Sequence, residues 1–366
     1  AEIGEFGDVH FLCVGTPEGE SSHADLSYVH AAVDALAPQL SSPCLIVGKS
    51  TVPVGTARRV MNRVRAAAPA GDLVELAWNP EFLREGFAVQ DSLTPDRMVF
   101  GVTSERAAEM LRQVYATPLA AGIPSLVMDL ETAELVKVAA NAFLATKISF
   151  INVMAEMCEA AGADVLPLAE ALGHDVRIGR RFLSPGLGFG GGCLPKDIHA
   201  FRASASALGV GSLVSLLGTV DDINLGRRDR VTALAREAVG GTLKGKRVAV
   251  LGVAFKPNSD DIRDSPSLDI CARLSAEGAI VSVHDPVAMP NAAKKQPSLR
   301  CAGSVFEAAE GADLVLHLTE WADYRAIDPA ALASVVSRRV IIDGRCCLDA
   351  GLWKKADWTV HVLGRP

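Results

Sequence analysis

Apolar positions in the first third of the chain fall into short unbroken runs separated by stretches of helical period. Val9–Val14 is the first run, closed by Gly15-Thr16-Pro17, and predicts a buried strand. From Asp25 to Leu36 apolar residues recur at three- and four-residue intervals, which predicts a helix ended by Pro38. Cys44–Val47, Leu73–Ala77 and Met98–Val102 are further strand-like runs. Helices are expected after the second strand through about Ala67, and from Ser104 to about Tyr115. Short apolar strands alternating with helices predict parallel βαβ units. Ligands of such sheets bind beyond the carboxyl ends of the strands, and Ser50, Thr51, Glu81 and Glu85 all follow strands.

The pattern then changes. From Leu130 to about Ala161 the helical period continues without Pro or Gly, which predicts one helix about 50 Å long. Lys137 and Asn141 stand four apart on it, so their side chains share a face. Spacing alone also allows Lys137 to snorkel at the surface and Asn141 to be a cap or solvated. Val165–Leu172, a helix from about Pro195 to Leu208, and Leu213–Val239 make the middle region mostly α. Gly240-Gly241-Thr242 marks a boundary. A second α/β run follows: strands at Arg247–Leu251, Ile280–His284, Leu314–Leu318, Val340–Ile342 and Thr359–Leu363, with helices at Ser267–Glu277, Ser304–Glu310 and Pro329–Val336. The charged stretch Phe255–Ser265 and Asp343-Gly344-Arg345 sit at strand ends; each also reads as a solvated loop.

Composition sets limits on this picture. The 366 residues suffice for two or three domains, and 49% hydrophobic with 22% charged residues is ordinary for a globular protein. The net charge of -7 argues against non-specific nucleic-acid binding. Eight scattered cysteines include no C-x-x-C pair and no His/Cys cluster, so no metal and no disulfide framework are expected. A reducing cytoplasm follows. No apolar run approaches about 20 residues, so no membrane span is expected. The chain has no signal peptide and no initiating Met, and the expectation is that its true N-terminus is absent.

The densest chemistry lies in Phe189-Gly190-Gly191-Gly192-Cys193-Leu194-Pro195-Lys196-Asp197. Gly186, Gly188 and Gly190–Gly192 permit φ > 0 and close approach to a ligand, and Pro195 suits a first helical turn. Cys193 at a helix N-terminus would favour its thiolate, and Asp197 four residues on would share its face. That describes a nucleophile beside a carboxylate. An ordinary buried thiol after a flexible loop is the other reading of these residues alone.

One feature of a dinucleotide-binding half is missing: a strand, G-x-G-x-x-G and an acidic residue about 20 positions later. Gly4-Glu5-Phe6-Gly7 is not such a fingerprint, and Leu251-Gly252-Val253-Ala254 offers one glycine. Even so, the motifs together resemble the nucleotide-sugar 6-dehydrogenase family, most closely its UDP-glucose dehydrogenase branch. The carrying residues are Val14-Gly15-Thr16-Pro17, Lys49–Thr56, Asn79–Gly86, Glu134-Leu135-Val136-Lys137 with Asn141, Phe189–Asp197, Phe255-Lys256-Pro257 with Arg263, and Asp343-Gly344-Arg345.

The resemblance spans essentially the whole chain and implies an α/β fold. Two Rossmann-like doubly wound domains, the first incomplete, are joined by an all-helical middle domain with one long central helix. Residues 1–125 would be the NAD-binding domain, 126–240 the helical dimerisation and catalytic domain, and 241–366 the UDP-sugar-binding domain. It implies NAD-dependent oxidation of the C6 alcohol of UDP-glucose to the carboxylate, and a homodimer through the long helix. By the same resemblance Cys193 forms a thiohemiacetal and then a thioester, while Lys137 and Asn141 stabilise the oxyanion. Asp197, with a water held by Thr51, takes the proton, and Glu81 assists thioester hydrolysis. Val14, Thr16, Ser50, Thr51, Glu85 and Arg263 would contact NAD. The UDP-sugar would be held by Glu81, Phe82, Leu83, Glu85, Lys137, Asn141, Arg177, Phe182, Leu183, Ser184, Gly186, Gly190, Lys256 and Arg345. For a fragment without the glycine-rich turn, NAD binding is expected to be weak.

Three rivals remain at this point. A β-hydroxyacid dehydrogenase also pairs a helical Lys with an Asn four residues later, but it performs one oxidation and needs no thiol. GDP-mannose dehydrogenase shares the thiol chemistry and differs in its base pocket. A non-catalytic nucleotide-sugar-binding or dimerisation module would take up the sugar nucleotide alone.

Overall fold

A computed structural model describes residues 6–19 and 22–365, so Gly4 and Glu5 lie outside the described residues. In chain order the first elements are β1 (Val9–Leu12), α1 (Ser27–Leu36), β2 (Cys44–Gly48), α2 (Thr56–Ala67), β3 (Val74–Trp78), α3 (Ala88–Leu93), β4 (Met98–Gly101), α4 (Glu105–Val114), α5 (Ala116–Ala120) and β5 (Ser125–Met128). Four long or medium helices follow: α6 (Leu130–Ala161), α7 (Val165–His174), α8 (Leu194–Ala207) and α9 (Gly211–Ala238). The chain divides into two compact units. One holds residues up to Ala142 with Lys196–Leu217, and the other holds Phe143–Pro195 with Gly218–Pro366.

In the first unit the strands lie in the order β1-β2-β3-β4-β5. The unbroken apolar run of β2 has a simple cause: both faces are covered. Cys44 and Ile46 pack with Val33, Val60 and Val64 on one side, and Leu45 and Val47 pack with Ala107 and Leu111 on the other. The sheet departs from the all-parallel expectation at one place, where β3 and β4 are antiparallel through Trp78 and Gly101. The connecting helix α3 buries none of its residues, so it does not lie on the sheet as a parallel crossover requires.

The second unit adds β6 (Arg247–Leu251), α10 (Pro266–Ala276), β7 (Ile280–His284), α11 (Met289–Lys295), β8 (Arg300–Cys301), α12 (Val305–Ala309), β9 (Leu314–His317), α13 (Ala322–Arg325), α14 (Pro329–Leu332), β10 (Val340–Asp343), α15 (Ala350–Lys355) and β11 (Thr359–Val362). Its six strands run parallel in the order β11-β10-β9-β6-β7-β8. That is the doubly wound order, with its switch point between β6 and β9.

Helix α6 has the bounds its sequence predicts, because nothing within it breaks a helix. By length and composition alone α6 would pass for a bilayer-crossing helix. Its surroundings identify a core helix. Glu134, Lys137, Asn141, Ser149 and Asn152 are buried, and each meets a polar group elsewhere in the protein. A lipid-facing helix has no such partners to offer.

The packing of Gly48 yields a test. A Cβ at Gly48 would stand 2.3 Å from the Trp78 ring, with both residues inside the sheet. Gly48→Ala is expected to destabilise the protein by about 1–3 kcal/mol. A thermal unfolding midpoint equal to that of the parent would show that the Trp78 ring moves without cost.

Candidate active site

The first unit builds its site from α6 outward. Gly55, at φ 85, precedes α2, which has no side-chain cap of its own. Glu134 supplies one from a distance: Oε2 accepts from Gly55 N and Oε1 from Ala57 N, both at 2.6 Å. A carboxylate at a helix N-terminus satisfies orphan donors and complements the dipole. Burial nevertheless pushes the Glu134 carboxyl up to about 7, against the pull of those two N–H donors.

One turn along α6, Lys137 is buried with Nζ 3.6 Å from Glu81 Oε1 and 5.4 Å from the centre of the Phe82 ring. Asn141, the next residue on that face, donates Nδ2–H to Asp197 Oδ2 at 2.6 Å. Lys196 Nζ reaches Asp197 Oδ1 at 2.6 Å, so both carboxylate oxygens are engaged. The structure therefore joins Lys137 with Glu81 and Phe82, and Asn141 with Asp197. Glu81 Oε2 also accepts from Leu83 N at 2.6 Å, which fixes the turn after β3. Glu85 lies exposed farther along that segment.

Val14, Thr16, Ser50 and Thr51 meet at the carboxyl ends of β1 and β2. Ser50 Oγ donates to Val14 O at 2.5 Å, and Thr16 Oγ1 to Thr51 O at 2.8 Å. Beside them opens a recess, continuous with solvent and lined by Thr16, Pro17, Thr51, Val54, Lys196 and Asp197 among others. Lys196 is one residue the sequence reading left without a role. Lys49 is another: Nζ donates to Asn79 Oδ1 at 2.9 Å and to the Tyr115 hydroxyl at 3.2 Å, and burial lowers its pKa. Both Lys49 and Asn79 directly follow strands, which was the signal available for finding them.

Cys193, which belongs to the second unit, is an exposed thiol immediately before α8, a helix whose first turn holds Pro195 and Asp197. The glycines before it serve protein packing first. A Cβ at Gly190 would lie 2.3 Å from Asp264 O, and one at Gly192 would lie 2.3 Å from Arg263 Cζ. Gly191, at φ 84, donates its N–H to Arg263 O at 2.9 Å. Arg263 itself pairs with Asp261 at 2.7 Å. The charged stretch after β6 thus packs against the glycine loop on one side, while Asn258, Asp260, Arg263 and Asp264 remain exposed.

The segment 182–190 is pinned by side chains that sequence reasoning missed. Asn152 Oδ1 accepts from Gly186 N at 2.8 Å, and Arg227 Nε donates to Gly186 O at 3.1 Å. Asn224 bonds both the N–H and the C=O of Phe189, at 2.7 and 3.1 Å. Phe182 takes φ 65 and is exposed, as is Ser184, whereas the Leu183 side chain is buried in the core and offers only its backbone. Arg345 Nε donates to Leu318 O at 2.7 Å and Nη2 to Phe255 O at 3.2 Å, next to Lys256, whose ammonium lies 5.2 Å from the Phe255 ring. A Cβ at Gly186 would meet Gly344 O at 3.0 Å, so Gly186, Lys256 and Arg345 are neighbours. Arg177 is taken up by Asp175 at 2.6 Å with its side chain 85% exposed, and makes no part of that group.

Comparison with known proteins agrees with these motifs. Residues 2–119 match the NAD binding domain of the UDP-glucose/GDP-mannose dehydrogenase family, 131–225 its central domain and 249–350 its UDP binding domain. The chain is 39% identical over 359 residues to the UDP-glucose 6-dehydrogenase of Rickettsia typhi, covering 98% of this chain and 82% of that one. It is 40% identical over 360 residues to the UDP-glucose 6-dehydrogenase TuaD of Bacillus subtilis, covering 98% and 77%. Among solved structures, a UDP-glucose dehydrogenase from Pyrobaculum islandicum superposes with a TM-score of 0.90 at 36% identity, covering 100% of this chain and 82% of that one.

Glu134 makes the first unit sensitive to pH. Its folded pKa, about 7, lies above the ordinary value of 4.5. Folding therefore favours the protonated form, and the resulting stability is full below about 4.5 and lost as pH rises through about 7. Glu134→Gln is expected to flatten this dependence. Thermal unfolding at pH 5 and pH 8 measures it: the fall in midpoint should be smaller in the variant. Equal falls in both proteins would remove Glu134 as the cause.

Proposed function

The chain belongs to the UDP-glucose/GDP-mannose dehydrogenase family, and from that premise we propose that it oxidises the C6 alcohol of UDP-glucose to UDP-glucuronate in two NAD-dependent steps. The observation that carries the reading is the exposed Cys193 thiol at the start of α8, which a single oxidation would not need. The recess beside Thr16 and Thr51, with its apolar wall and the Lys196 ammonium, suits the amide-bearing ring of a nicotinamide. Val14, Ser50, Glu85 and Arg263 would make the remaining cofactor contacts. When bound, NAD+ supplies the hydride acceptor for each oxidation.

The residues of the chain do the rest. In the first step the C6 hydroxyl proton passes through a water held by Thr51 to Asp197 as the C6 hydride leaves, giving an aldehyde. The Cys193 thiolate then adds to the aldehyde carbon, forming a C–S bond and an oxyanion that Lys137 and Asn141 receive as hydrogen-bond donors. Loss of the second hydride leaves a thioester. Water, assisted by Glu81, cleaves the C–S bond and releases the carboxylate and the thiol. The role of Cys193 requires a reduced thiol, which places the enzyme in a reducing compartment such as the cytoplasm.

For the sugar nucleotide, Lys256 and Arg345 offer cations at the carboxyl ends of β6 and β10, and the backbone of 182–190 offers N–H groups. Phe82 and Leu83 would add contacts, and Arg177, which stands apart from that group, would reach a substrate only across the dimer. Relatives named for UDP-glucose favour it over GDP-mannose. In domain terms we assign cofactor binding to residues 1–125, the helical part to 126–240 and nucleotide-sugar binding to 241–366. The chain would act as a homodimer through α6, whose Phe143, Phe150 and Met157 repeat every seven residues and are 66, 49 and 61% exposed.

The mechanism is tested at the thiol. Cys193→Ala is expected to yield at most one NADH per sugar and no carboxylate. Cys193→Ser should instead build up a covalent sugar-nucleotide ester visible by intact mass, because a serine ester hydrolyses slowly. Two NADH per sugar from Cys193→Ala, at a rate near the parent, would leave a single-oxidation dehydrogenase as the better reading. For assembly, Phe150→Asp is expected to give a monomer by light scattering. A variant that stays dimeric would place the interface elsewhere.

A further inference from the structure

His317 and Asp343 lie outside every role assigned above. His317 ends β9 and Asp343 ends β10, and they are register partners in adjacent strands, so their side chains share one face of the sheet. Both are 0% exposed. His317 Nδ1 stands 2.9 Å from Asp343 Oδ1, and against a carboxylate Nδ1 is the donor. Arg345 N donates to the same Oδ1 at 3.0 Å, and Cys347 N and Leu348 N donate to Oδ2 at 2.8 Å. Gly344 N donates to His317 O at 3.0 Å. The turn 343–348, with Cys346 at φ 55, is therefore wound around one buried carboxylate, and it is this turn that delivers Arg345 to Leu318 O and Phe255 O.

Ligand atoms of His317, Asp343 and Cys347 lie within 4.8 Å of one another, a spacing that a metal ion would accept. Valence argues against one. Four N–H donors already occupy the Asp343 oxygens, and burial pushes the Cys347 thiol up to about 12.

We propose that His317 is a positioning residue for nucleotide-sugar recognition: by donating to Asp343 it holds the turn that aims the Arg345 guanidinium at the substrate diphosphate. The inference rests on the reading of Arg345 as a substrate contact. An amide can stand in for either ring nitrogen, which separates the hydrogen bond from mere bulk. Asn carries its N–H near the position of Nδ1, whereas Gln carries it near Nε2, away from Asp343.

Calorimetry with UDP-glucose on the parent, His317→Asn, His317→Gln and Arg345→Ala tests the proposal. His317→Asn should stay within about threefold of the parent and His317→Gln should weaken binding about tenfold, with KM for NAD+ unchanged in both. Arg345→Ala should weaken binding at least as much. His317→Gln binding like the parent while Arg345→Ala binds poorly would overturn the positioning role, as would equal losses in the Asn and Gln variants. Arg345→Ala binding like the parent would instead sink the reading of Arg345 itself. Stoichiometric zinc in the purified parent would replace the proposal with a metal site.

Discussion

A helix that buries polar side chains must find partners for them, and α6 is organised by that requirement. Glu134, Lys137, Asn141, Ser149 and Asn152 point into the protein, while Phe143, Phe150 and Met157 stay exposed. These polar groups share the interior with apolar neighbours such as Val138, Ala145 and Ile151. An unpaired buried amide or charge costs several kcal/mol at most sites, roughly the scale of a domain's net stability. Each inward group therefore dictates where another segment must run. Glu134 fixes the entry to α2, Lys137 draws in Glu81, and Asn141 takes Asp197. In the other unit Asn152 holds Gly186 and Ser149 binds Val220 O. The residues proposed for chemistry are thus also part of what the fold needs in order to satisfy its own helix.

This explains what the sequence could reveal. Strand runs such as Cys44–Gly48 and Val248–Leu251 are legible because burial on both faces leaves no polar position to confuse them. The length of α6 is legible because no Gly or Pro interrupts it. Its orientation is not: Lys137 and Asn141 fit a solvated face as well as a buried one until Glu81 and Asp197 are seen beside them. Asn152, Asn224 and Arg227 were missed for the same reason, since a polar residue in a helical period reads by default as solvent-facing. The antiparallel β3–β4 pairing was hidden too, because it follows from α3 failing to pack rather than from anything in either strand.

The glycine loop shows how one sequence signal can carry two meanings. Glycines before a cysteine suggest open backbone near a ligand, yet Gly190 and Gly192 have their missing Cβ positions filled by Asp264 and Arg263. Close packing against the 261–264 turn leaves the loop one course to follow. A thiol at the end of such a closely packed loop has a defined position, which is what the proposed attack on a substrate carbon requires.

The second sheet carries this logic to its ligand. Its strand order is that of a dinucleotide-binding fold, and in such folds an acidic residue after the second strand reads a ribose. Asp285 occupies that position, directly after β7. Its carboxylate accepts from the backbone N–H groups of Val253, Ala254, Val287 and Ala288 and from Trp321 Nε1, at 2.8–3.2 Å. With its acceptor capacity spent on the turns after β6 and β7, it has none left for a ribose hydroxyl. Beyond the carboxyl ends of β6 and β10 stand instead Lys256 and Arg345, the cations proposed above for the diphosphate. On the proposed reading, the topology that binds a dinucleotide elsewhere is turned toward a sugar nucleotide: the carboxylate that would have read the ribose holds the turn that leads to Lys256, while Asp343 holds the turn that carries Arg345.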